Sequence, residues 1–360
     1  MARAGLGEAW RCLFANDFDP LKAETYRANW GDEHLREGDI WSLEADDLPG
    51  LADLAWASSP CQDFSLAGGR AGLGGGRSSA FWGFWRLMQG LAAQGRAPKT
   101  IVLENVGGLL SSKGGADFAS LCAVLVEAGY GVGAVELDAA AFLPQSRPRV
   151  FVIAHRGAPP SALRAERPGH GHGAAVIRAQ ARLAPAVQAG WIWWRLTPPA
   201  QRNTQLEDVL EPDDAALWRS PAQTRALMDQ ISPAHRRRLQ DQGPPLVAAA
   251  FRRIRVEAGR KVQRAELRLD GLAGCLRTPG GGSSRQLLII DRGQGLRTRL
   301  ISPREGARLM GLPEDYRLPR AATAAFQVIG DGVAAPVVRY LASQLLEPLC
   351  AQAPAQVAAE

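Results

Sequence analysis

One cysteine stands where a nucleophile would be accessible. Cys61 lies in the turn Ser58-Ser59-Pro60-Cys61-Gln62-Asp63-Phe64-Ser65, directly after a predicted strand at residues 54–57, and a Gly-rich loop follows at residues 68–76. In a sheet of parallel strands, the chemistry collects at the carboxyl ends of the strands. A thiolate in that place could form a covalent bond with a substrate. A buried, inert cysteine is an equally good interpretation of this residue taken alone.

A carboxylate and two guanidinium groups accompany later strands. Glu104 directly follows a predicted strand at residues 100–103, and Arg147 and Arg149 precede another at residues 150–154. Burial would raise the pKa of such a carboxyl and make it a proton donor. For each residue taken singly, a structural ion pair between Glu104 and the arginines is the alternative. The order of the three segments along the chain favours an active site.

The first 155 residues supply elements that could position these side chains. Short apolar runs alternate with segments of helical spacing, which predicts an α/β fold in which helices cover a doubly wound parallel sheet. The strands are predicted at residues 13–15, 54–57, 100–103, 131–137 and 150–154, and the helices at residues 20–30, 81–91 and 118–127.

The composition is that of a folded protein whose partner could be negatively charged. Of 360 residues, 46% are hydrophobic and 22% are charged, and 42 basic against 36 acidic side chains give a net charge of +6. No apolar run approaches the ~20 residues needed to cross a bilayer. The N-terminus has no signal-peptide pattern, so we expect a cytoplasmic protein. The five cysteines include no Cys-x-x-Cys pair, so no metal site is predicted.

Five motifs in a fixed order resemble those of the DNA (cytosine-5)-methyltransferase family. A Pro-Cys-Gln tripeptide alone would be a weak signal, whereas five ordered motifs over nearly the whole chain are specific. The resemblance implies a Rossmann-like methyltransferase fold and an enzyme that transfers a methyl group from S-adenosylmethionine to C5 of cytosine in a specific double-stranded DNA sequence. The motifs are Pro60-Cys61-Gln62, Glu104-Asn105-Val106, Gln145-x-Arg147-x-Arg149, the segment Arg299–Pro313, and Gly330-Asp331-Gly332-Val333.

The resemblance gives each catalytic residue a role. Cytosine C5 is a poor nucleophile, so Cys61 would add to C6 and turn C5 into an enamine carbon that accepts the methyl group. Glu104 would hydrogen-bond to N3 or protonate it. Arg147 and Arg149 would hold the base O2, the carboxylate or a flanking phosphate.

The target base must leave the duplex before its C5 can be reached. Gln62 and Ser65 would lie on the Gly-rich loop that closes over the flipped base. Arg277 and Thr278, beside a second Gly-rich loop at residues 280–284, would contact DNA near that base.

The resemblance also implies a site for S-adenosylmethionine. Asp17 would accept hydrogen bonds from the ribose hydroxyls, Phe18 would stack on adenine, and Asp39-Ile40 resembles the adenine contact. Without the resemblance, acids near turns are more often solvated or capping. Asp331 stands where the family often has Asn, and a carboxylate near the catalytic thiol would oppose thiolate formation. The other expected cofactor contacts are Pro60, Asp331 and Val333.

The family's first motif is not found in this sequence. It is a strand that ends in a Phe-x-Gly-x-Gly loop around the methionine part of S-adenosylmethionine, and residues 1–10 resemble the helix that follows it. We favour a start codon upstream of Met1, because every later catalytic motif is intact; the alternative is a degenerate relative. An upstream in-frame stop codon with no Phe-x-Gly-x-Gly sequence would contradict the favoured explanation.

The chain is predicted to divide near residue 156. Residues 156–175 are rich in Pro, Gly and Ala, and the Arg-rich stretch that follows has little period apart from a predicted hairpin of residues 286–291 with 296–301. The predicted units are a catalytic domain at residues 1–156 without its first strand, a smaller, mostly irregular or β target recognition domain at 157–319, a C-terminal helix at 320–350 that returns to the catalytic domain, and a tail at 351–360.

Other functions stay open on the sequence. A catalytically silent relative could bind DNA without the cofactor, and cofactor binding would separate the two. Methylation of an RNA cytosine is disfavoured by the large Arg-rich region, and a comparison of tRNA with DNA as substrate would decide. A cysteine hydrolase is the weakest option, since no histidine is predictably paired with Cys61. We expect a nucleoid-associated monomer, with double-stranded DNA as partner and a cognate restriction endonuclease as functional partner.

Overall fold

The computed structural model describes residues 1–59, 80–257, 259–278 and 285–351 of the chain. Four predicted site residues therefore lie outside the described residues. They are Pro60, Cys61, Gln62 and Ser65. The second Gly-rich loop, at residues 280–284, also lies outside them.

Strands and helices alternate over the first 156 residues, and a second sheet dominates the rest of the chain. The strands are β1 (Ala15–Asp17), β2 (Leu35–Glu37), β3 (Leu54–Ala57), β4 (Thr100–Asn105), β5 (Tyr130–Asp138), β6 (Pro148–Arg156), β7 (Arg164–Ala165), β8 (Trp193–Trp194), β9 (Leu246–Glu257), β10 (Arg260–Arg268), β11 (Leu287–Asp291) and β12 (Arg297–Leu300). The α-helices are α1 (Ala2–Leu6), α2 (Pro20–Trp30), α3 (Ala80–Ala93), α4 (Ala116–Glu127), α5 (Ala174–Gln180), α6 (Pro185–Ala189), α7 (Pro221–Gln230), α8 (Pro233–Gln242), α9 (Pro303–Leu309), α10 (Ala322–Asp331), α11 (Ala335–Leu341) and α12 (Glu347–Cys350).

Helix α2 shows how local sequence sets an element of the site. The Asp19 side chain caps the helix by accepting a hydrogen bond from the Leu21 amide at 2.9 Å, and Pro20 occupies the first helical position. Gly31, with φ of 75°, ends the helix. The helix begins directly after β1, so its cap fixes the position of the acidic residues between them.

The first sheet has the order β3-β4-β6-β5. β3 and β4 are parallel, whereas β6 runs antiparallel to both β4 and β5. The prediction of a wholly parallel sheet is therefore wrong. Residues 139–147 join β5 to β6 directly, and a parallel pairing would need a crossover of a dozen or more residues.

Helices cover both faces of this sheet, which confirms the predicted α/β class. Val102 and Ile153 pack on one face with residues of α11, such as Leu341. Ile101 and Val152 pack on the other face with residues of α3 and α4. Apolar side chains cover both faces of the sheet, so the polar side chains that could act on a substrate lie at the ends of the strands.

β1 and β2 form a separate two-stranded parallel sheet. Asp17 is in register with Glu37, so both strands end at the same edge. No hydrogen-bonded ladder joins this pair to the first sheet within the residues that the structure describes.

A second sheet, of order β10-β9-β11-β12, forms the smaller unit with helices α7 and α8. β11 and β12 are the predicted hairpin, with Leu287 opposite Leu300. The long hairpin of β9 and β10 was not predicted, because residues 248–250 are alanine and the arginines at 252, 253 and 255 interrupt the apolar residues Phe251, Ile254 and Val256.

Residues 164–194 differ from the expected linker and domain start, because they pack on the first sheet. Val132 of β5 bridges to Trp191, and the indole of Trp194 is buried and donates to the Ile153 carbonyl at 3.3 Å. The predicted single helix at 320–350 is also broken: Gly332 ends α10, and Pro336 starts a new helix, α11. No helix in the described ranges is long and apolar enough to cross a membrane.

Candidate active site

The ends of β3 and β4 lie side by side and lead into the segment that carries the cysteine. Ala57 is in register with Leu103. The Asn105 side chain donates to the Ser59 carbonyl at 2.9 Å, and the Trp56 indole donates to the Ser58 hydroxyl at 3.1 Å. The backbone therefore leaves the sheet beside Glu104, one residue before the Pro-Cys-Gln motif begins.

Glu104 is a buried carboxyl at this edge, 6% exposed. Its Oε1 lies 3.0 Å from Nε of Arg149. Burial raises the pKa of Glu104, against the charges of Arg149 and Arg147 and a hydrogen bond from Ser58. The surroundings therefore favour the protonated form more than they would for an exposed glutamate.

Arg149 and Arg147, two residues apart, have different surroundings. Arg149 lies against the Glu104 carboxylate, and its Nη1 donates to the Pro148 carbonyl at 2.8 Å. It is the guanidinium group in direct contact with the acid.

Arg147 is 1% exposed and is held by main-chain carbonyls. Nη1 donates to the Leu276 carbonyl at 2.8 Å, and Nη2 donates to the carbonyls of Gly330, at 2.7 Å, and Gly332. Its expected contacts with the base or a phosphate would need these bonds to be exchanged. The geometry makes Arg147 a positioning residue that joins β6 to the second sheet's loop and to the end of α10.

Gln145 also joins the segment before β6 to the loop at Leu276 and to the end of α9. Its Nε2 donates to the Leu309 carbonyl at 2.5 Å, and its Oε1 accepts from the Leu276 amide at 3.1 Å. The residue is fully buried. Gly330 is required by the close approach here, because a Cβ at this position would lie 2.4 Å from the Thr278 amide nitrogen.

Asp17 and Asp39 follow the ends of the two parallel strands of the small sheet. Asp17 Oδ1 accepts from the Asp19 amide at 3.0 Å, and Asp39 Oδ1 accepts from the Trp41 amide at 3.0 Å. Burial raises the pKa of Asp17, partly offset by that amide and by Lys22. Phe18 is 60% exposed, so an aromatic face is open beside a half-buried carboxylate.

Two of the remaining predicted contact residues, Asp331 and Thr278, meet at the end of α10. Asp331 lies 2.9 Å from Lys22 Nζ, and the Thr278 hydroxyl donates to it at 2.6 Å. Burial alone would raise the pKa of Asp331, but Thr278 and Lys22 lower it below its usual value. The Asp331 carboxylate is thereby kept ionised, as a partner of the Lys22 ammonium group. Val333 is buried, whereas Ile40 is half-buried and Arg277 is exposed.

Sequence reasoning missed three contributors to this site. Lys22 contacts Asp331, and Ser58 donates a hydrogen bond to Glu104. Asp138 accepts a hydrogen bond from the Arg147 amide. Lysine is rare in this chain, and Lys22 lies in the first turn of a helix that follows an acidic segment, which was a usable signal. Ser58 and Asp138 had no comparable signal, because each depends on which strands are neighbours.

Comparison with known proteins gives a consistent result along the chain. A family model described as C-5 cytosine-specific DNA methylase matches residues 2–347. The Type II methyltransferase M.NlaX of Neisseria lactamica is 26% identical over 354 residues, which is 97% of this chain and 94% of that protein. The Type II methyltransferase M1.ScrFI of Lactococcus lactis subsp. cremoris is 25% identical over 346 residues, 95% of this chain and 74% of that protein.

Solved structures support the same fold. The S. pombe Dnmt2 methyltransferase superposes with a TM-score of 0.59 at 20% identity, covering 97% of this chain and 94% of its own. A DNMT2 variant of Spodoptera frugiperda gives a TM-score of 0.62 at 16% identity, covering 96% and 95%. With the family model spanning almost every residue, the chain belongs to the C-5 cytosine-specific DNA methylases.

Proposed function

We propose that this chain transfers a methyl group from S-adenosylmethionine to C5 of cytosine in a specific duplex DNA sequence. The observation that carries the proposal is Glu104, a buried carboxyl with a raised pKa, held by Arg149 beside the backbone that leads to Cys61. A structural ion pair would leave the carboxyl ionised, whereas this environment favours the proton that N3 of cytosine needs.

The reaction is derived from what the chain's own groups can do. The Cys61 thiolate forms a bond to C6 of the flipped cytosine, and Glu104 gives a hydrogen bond or proton to N3. The electron pair that reaches C5 then forms the bond to the methyl group, which S-adenosylmethionine would supply by breaking its sulfonium S–CH3 bond and leaving as S-adenosylhomocysteine. A water molecule takes the C5 proton, the electrons of that C–H bond form the C5–C6 double bond, and the C6–S bond breaks to release the Cys61 thiolate. The N3 proton returns to Glu104, and 5-methylcytosine is left. Arg149 keeps Glu104 oriented throughout.

The residues of the small sheet fit a nucleoside cofactor. An acid at the end of β1, an exposed phenyl ring next to it and an acid at the end of β2 match the ribose hydroxyls, the adenine face and the adenine amino group. These residues are Asp17, Phe18 and Asp39. The cofactor supplies an electrophilic methyl group, and the protein binds and orients it.

Bisulfite sequencing of DNA from a bacterial host without its own cytosine-5 methylation tests the proposal. Expression of the chain should produce 5-methylcytosine at one short sequence. Cys61→Ser should abolish this methylation while DNA binding is largely retained. Methylation by the Cys61→Ser variant would show that Cys61 is not the nucleophile. If the unaltered chain binds DNA but does not bind S-adenosylmethionine, the catalytically silent relative is favoured.

The second member of the proposed system is a restriction endonuclease. M.NlaX and M1.ScrFI are both named Type II methyltransferases. By this likeness we infer that the methylated sequence matches the site of a companion endonuclease. Protection of host DNA from cleavage by that enzyme would be the functional readout.

A further inference from the structure

The hairpin of β9 and β10 extends beyond the second sheet as a two-stranded ribbon. β11 pairs with β9 only as far as Ala250, whereas β10 pairs with β9 to Glu257. We call residues 251–257 and 260–266 the ribbon. Six residues of strand span roughly 20 Å. A two-stranded β-ribbon of this kind fits the major groove of B-DNA, which is about 12 Å wide.

The ribbon has two chemically different faces, because cross-strand pairs share a face and alternate along the strand. On the first face, three arginines are ion-paired with two glutamates, so the positive charge is largely compensated. These pairs are Arg253 and Arg255 with Glu266, and Arg264 with Glu257.

The second face has no acidic residue and carries exposed apolar groups. Ile254 is 62% exposed and Val256 is 71% exposed, opposite Gln263 and Lys261 respectively. In the body of the sheet, residues of this face such as Ala250 are covered by α7 and α8. Beyond the part that α7 and α8 cover, this face therefore exposes the side chains of Ile254, Val256, Gln263 and Lys261 to solvent.

The root of the second face adds an arginine pair without an acidic partner. Arg252 lies near Arg219, just before α7, and burial together with the Arg252 charge lowers the pKa of Arg219. The Nε of each is buried and has no hydrogen-bond partner among the described residues. Two close, uncompensated guanidinium groups are suited to a phosphate.

The ribbon also starts at a cleft that reaches the beginning of β6. Phe251 and Arg252 line the same cleft as Pro148 and Arg277. Pro148 is adjacent to Arg149, so a duplex held by the ribbon would pass the catalytic edge of the first sheet.

We propose that the ribbon enters the major groove of duplex DNA and determines the methylated sequence, with Ile254, Val256 and Gln263 towards the base edges and Arg219 with Arg252 on a backbone phosphate. The proposal rests on the function proposed above. Apolar side chains contact the thymine methyl group, and Gln pairs with adenine N6 and N7. The ion-paired first face then lies away from the base edges.

A matched pair of variants tests the choice of face. Val256→Ala and Val262→Ala make the same change on opposite faces of the ribbon. The full chain and each variant are expressed in the methylation-deficient host and compared by genome-wide bisulfite sequencing. We expect Val256→Ala and Gln263→Ala to lower discrimination at one position of the site by roughly tenfold, since one base contact is worth that much. Val262→Ala should leave the site unchanged.

The outcomes separate the two proposals. Absence of methylation with the unaltered chain contradicts the proposed function. Methylation by the unaltered chain, with an unchanged site in Val256→Ala and Gln263→Ala, overturns the ribbon proposal alone, and an altered site in Val262→Ala overturns the assignment of the faces. If Val256→Ala loses its cooperative melting transition, Val256→Thr, which keeps the shape, replaces it in the same comparison.

Discussion

Glu104 combines two properties that oppose each other. Its burial raises the pKa, while Arg149 at 3.0 Å favours the ionised form. The net result is a raised pKa for a carboxyl that nevertheless has a cation beside it. A buried carboxyl of this kind lowers the stability of the fold as the pH rises above its ordinary pKa, because its ionisation is disfavoured in the native state.

Glu104→Gln should reveal that cost. Above the ordinary pKa of 4.5 and up to its raised value, the native state binds more protons than the unfolded state, so the free energy of unfolding falls as the pH rises. The variant lacks this loss. The melting temperatures of the variant and the unaltered chain are measured by calorimetry at several pH values. The variant should gain stability relative to the unaltered chain as the pH rises from about 4 to about 8. Methylation should slow by about 10²–10⁴-fold, as for loss of a general acid. A difference in melting temperature that does not change with pH would contradict the raised pKa.

Arg147 and Arg149 should respond differently to lysine. Arg147→Lys cannot reach the three carbonyls that the planar guanidinium serves, and each one left unpaired costs about 1–3 kcal/mol. Urea denaturation should therefore show a loss of at least about 2 kcal/mol. Arg149→Lys keeps a cation beside Glu104 and leaves one main-chain carbonyl, that of Pro148, without its guanidinium donor, so it should lower stability by less than Arg147→Lys does while lowering the turnover rate. Equal losses of stability would contradict the positioning role of Arg147.

At the scale of elements, the corner between β12 and α9 depends on one buried ion pair. Arg299 and Glu305 are almost fully buried, and both guanidinium Nη atoms contact the carboxylate, at 2.7 and 2.5 Å. The Glu305 carboxylate also accepts from the amides of Ser302 and Glu211, each at 2.8 Å. One side chain thus joins the strand, the helix N-terminus and a distant loop.

Glu305→Gln should destabilise the chain by about 3–5 kcal/mol, because it leaves a buried guanidinium group without its counter-ion. A double-mutant cycle measures the coupling between the two side chains. The double variant Arg299→Met with Glu305→Leu should lose less stability than the sum of the losses in Arg299→Met and in Glu305→Leu. Urea denaturation of the unaltered chain and these three variants gives the four free energies of unfolding. Additive losses would show that the pair has no coupling.

Local signals explain which elements could be predicted from the sequence. Asp19 and Pro20 define the start of α2 within a few residues, so the predicted range 20–30 is confirmed. The direction of β6 could not be predicted, since it depends on pairing with strands far apart in the chain. The carbonyl partners of the Arg147 guanidinium group are 129 or more residues away, and no local pattern encodes them. Helices α7 and α8 had a usable signal in Ser220 and Ser232, each followed by proline.

At the scale of the molecule, the β1–β2 sheet and the loop before the second Gly-rich segment are joined through α2 and α10. Lys22 of α2 contacts Asp331, and Asp331 contacts Thr278 at the last described residue before the second Gly-rich loop. The β1–β2 pair has no ladder to the first sheet in the described part of the chain, so these side-chain contacts help to fix its position.

Binding of S-adenosylmethionine should therefore stabilise the whole fold. At a cofactor concentration of about 100 times Kd, linkage predicts a gain of about 2.7 kcal/mol. Scanning calorimetry of the 360-residue chain measures it, and Asp17→Ala should remove most of the shift. No shift in the unaltered chain would favour the silent relative.

The carbonyls that hold Arg147 have a consequence for synthesis on the ribosome. The arginine precedes its partners at Gly330 and Gly332 by 183 and 185 residues. Contacts this distant in sequence form late, after most of the chain has been translated. A nascent or prematurely terminated chain that stops before Gly330 lacks two of the carbonyls that hold Arg147, so the residues that precede β6 are not fixed in such a chain. Under the proposed function, methylation would thus begin only with chains translated almost to the end.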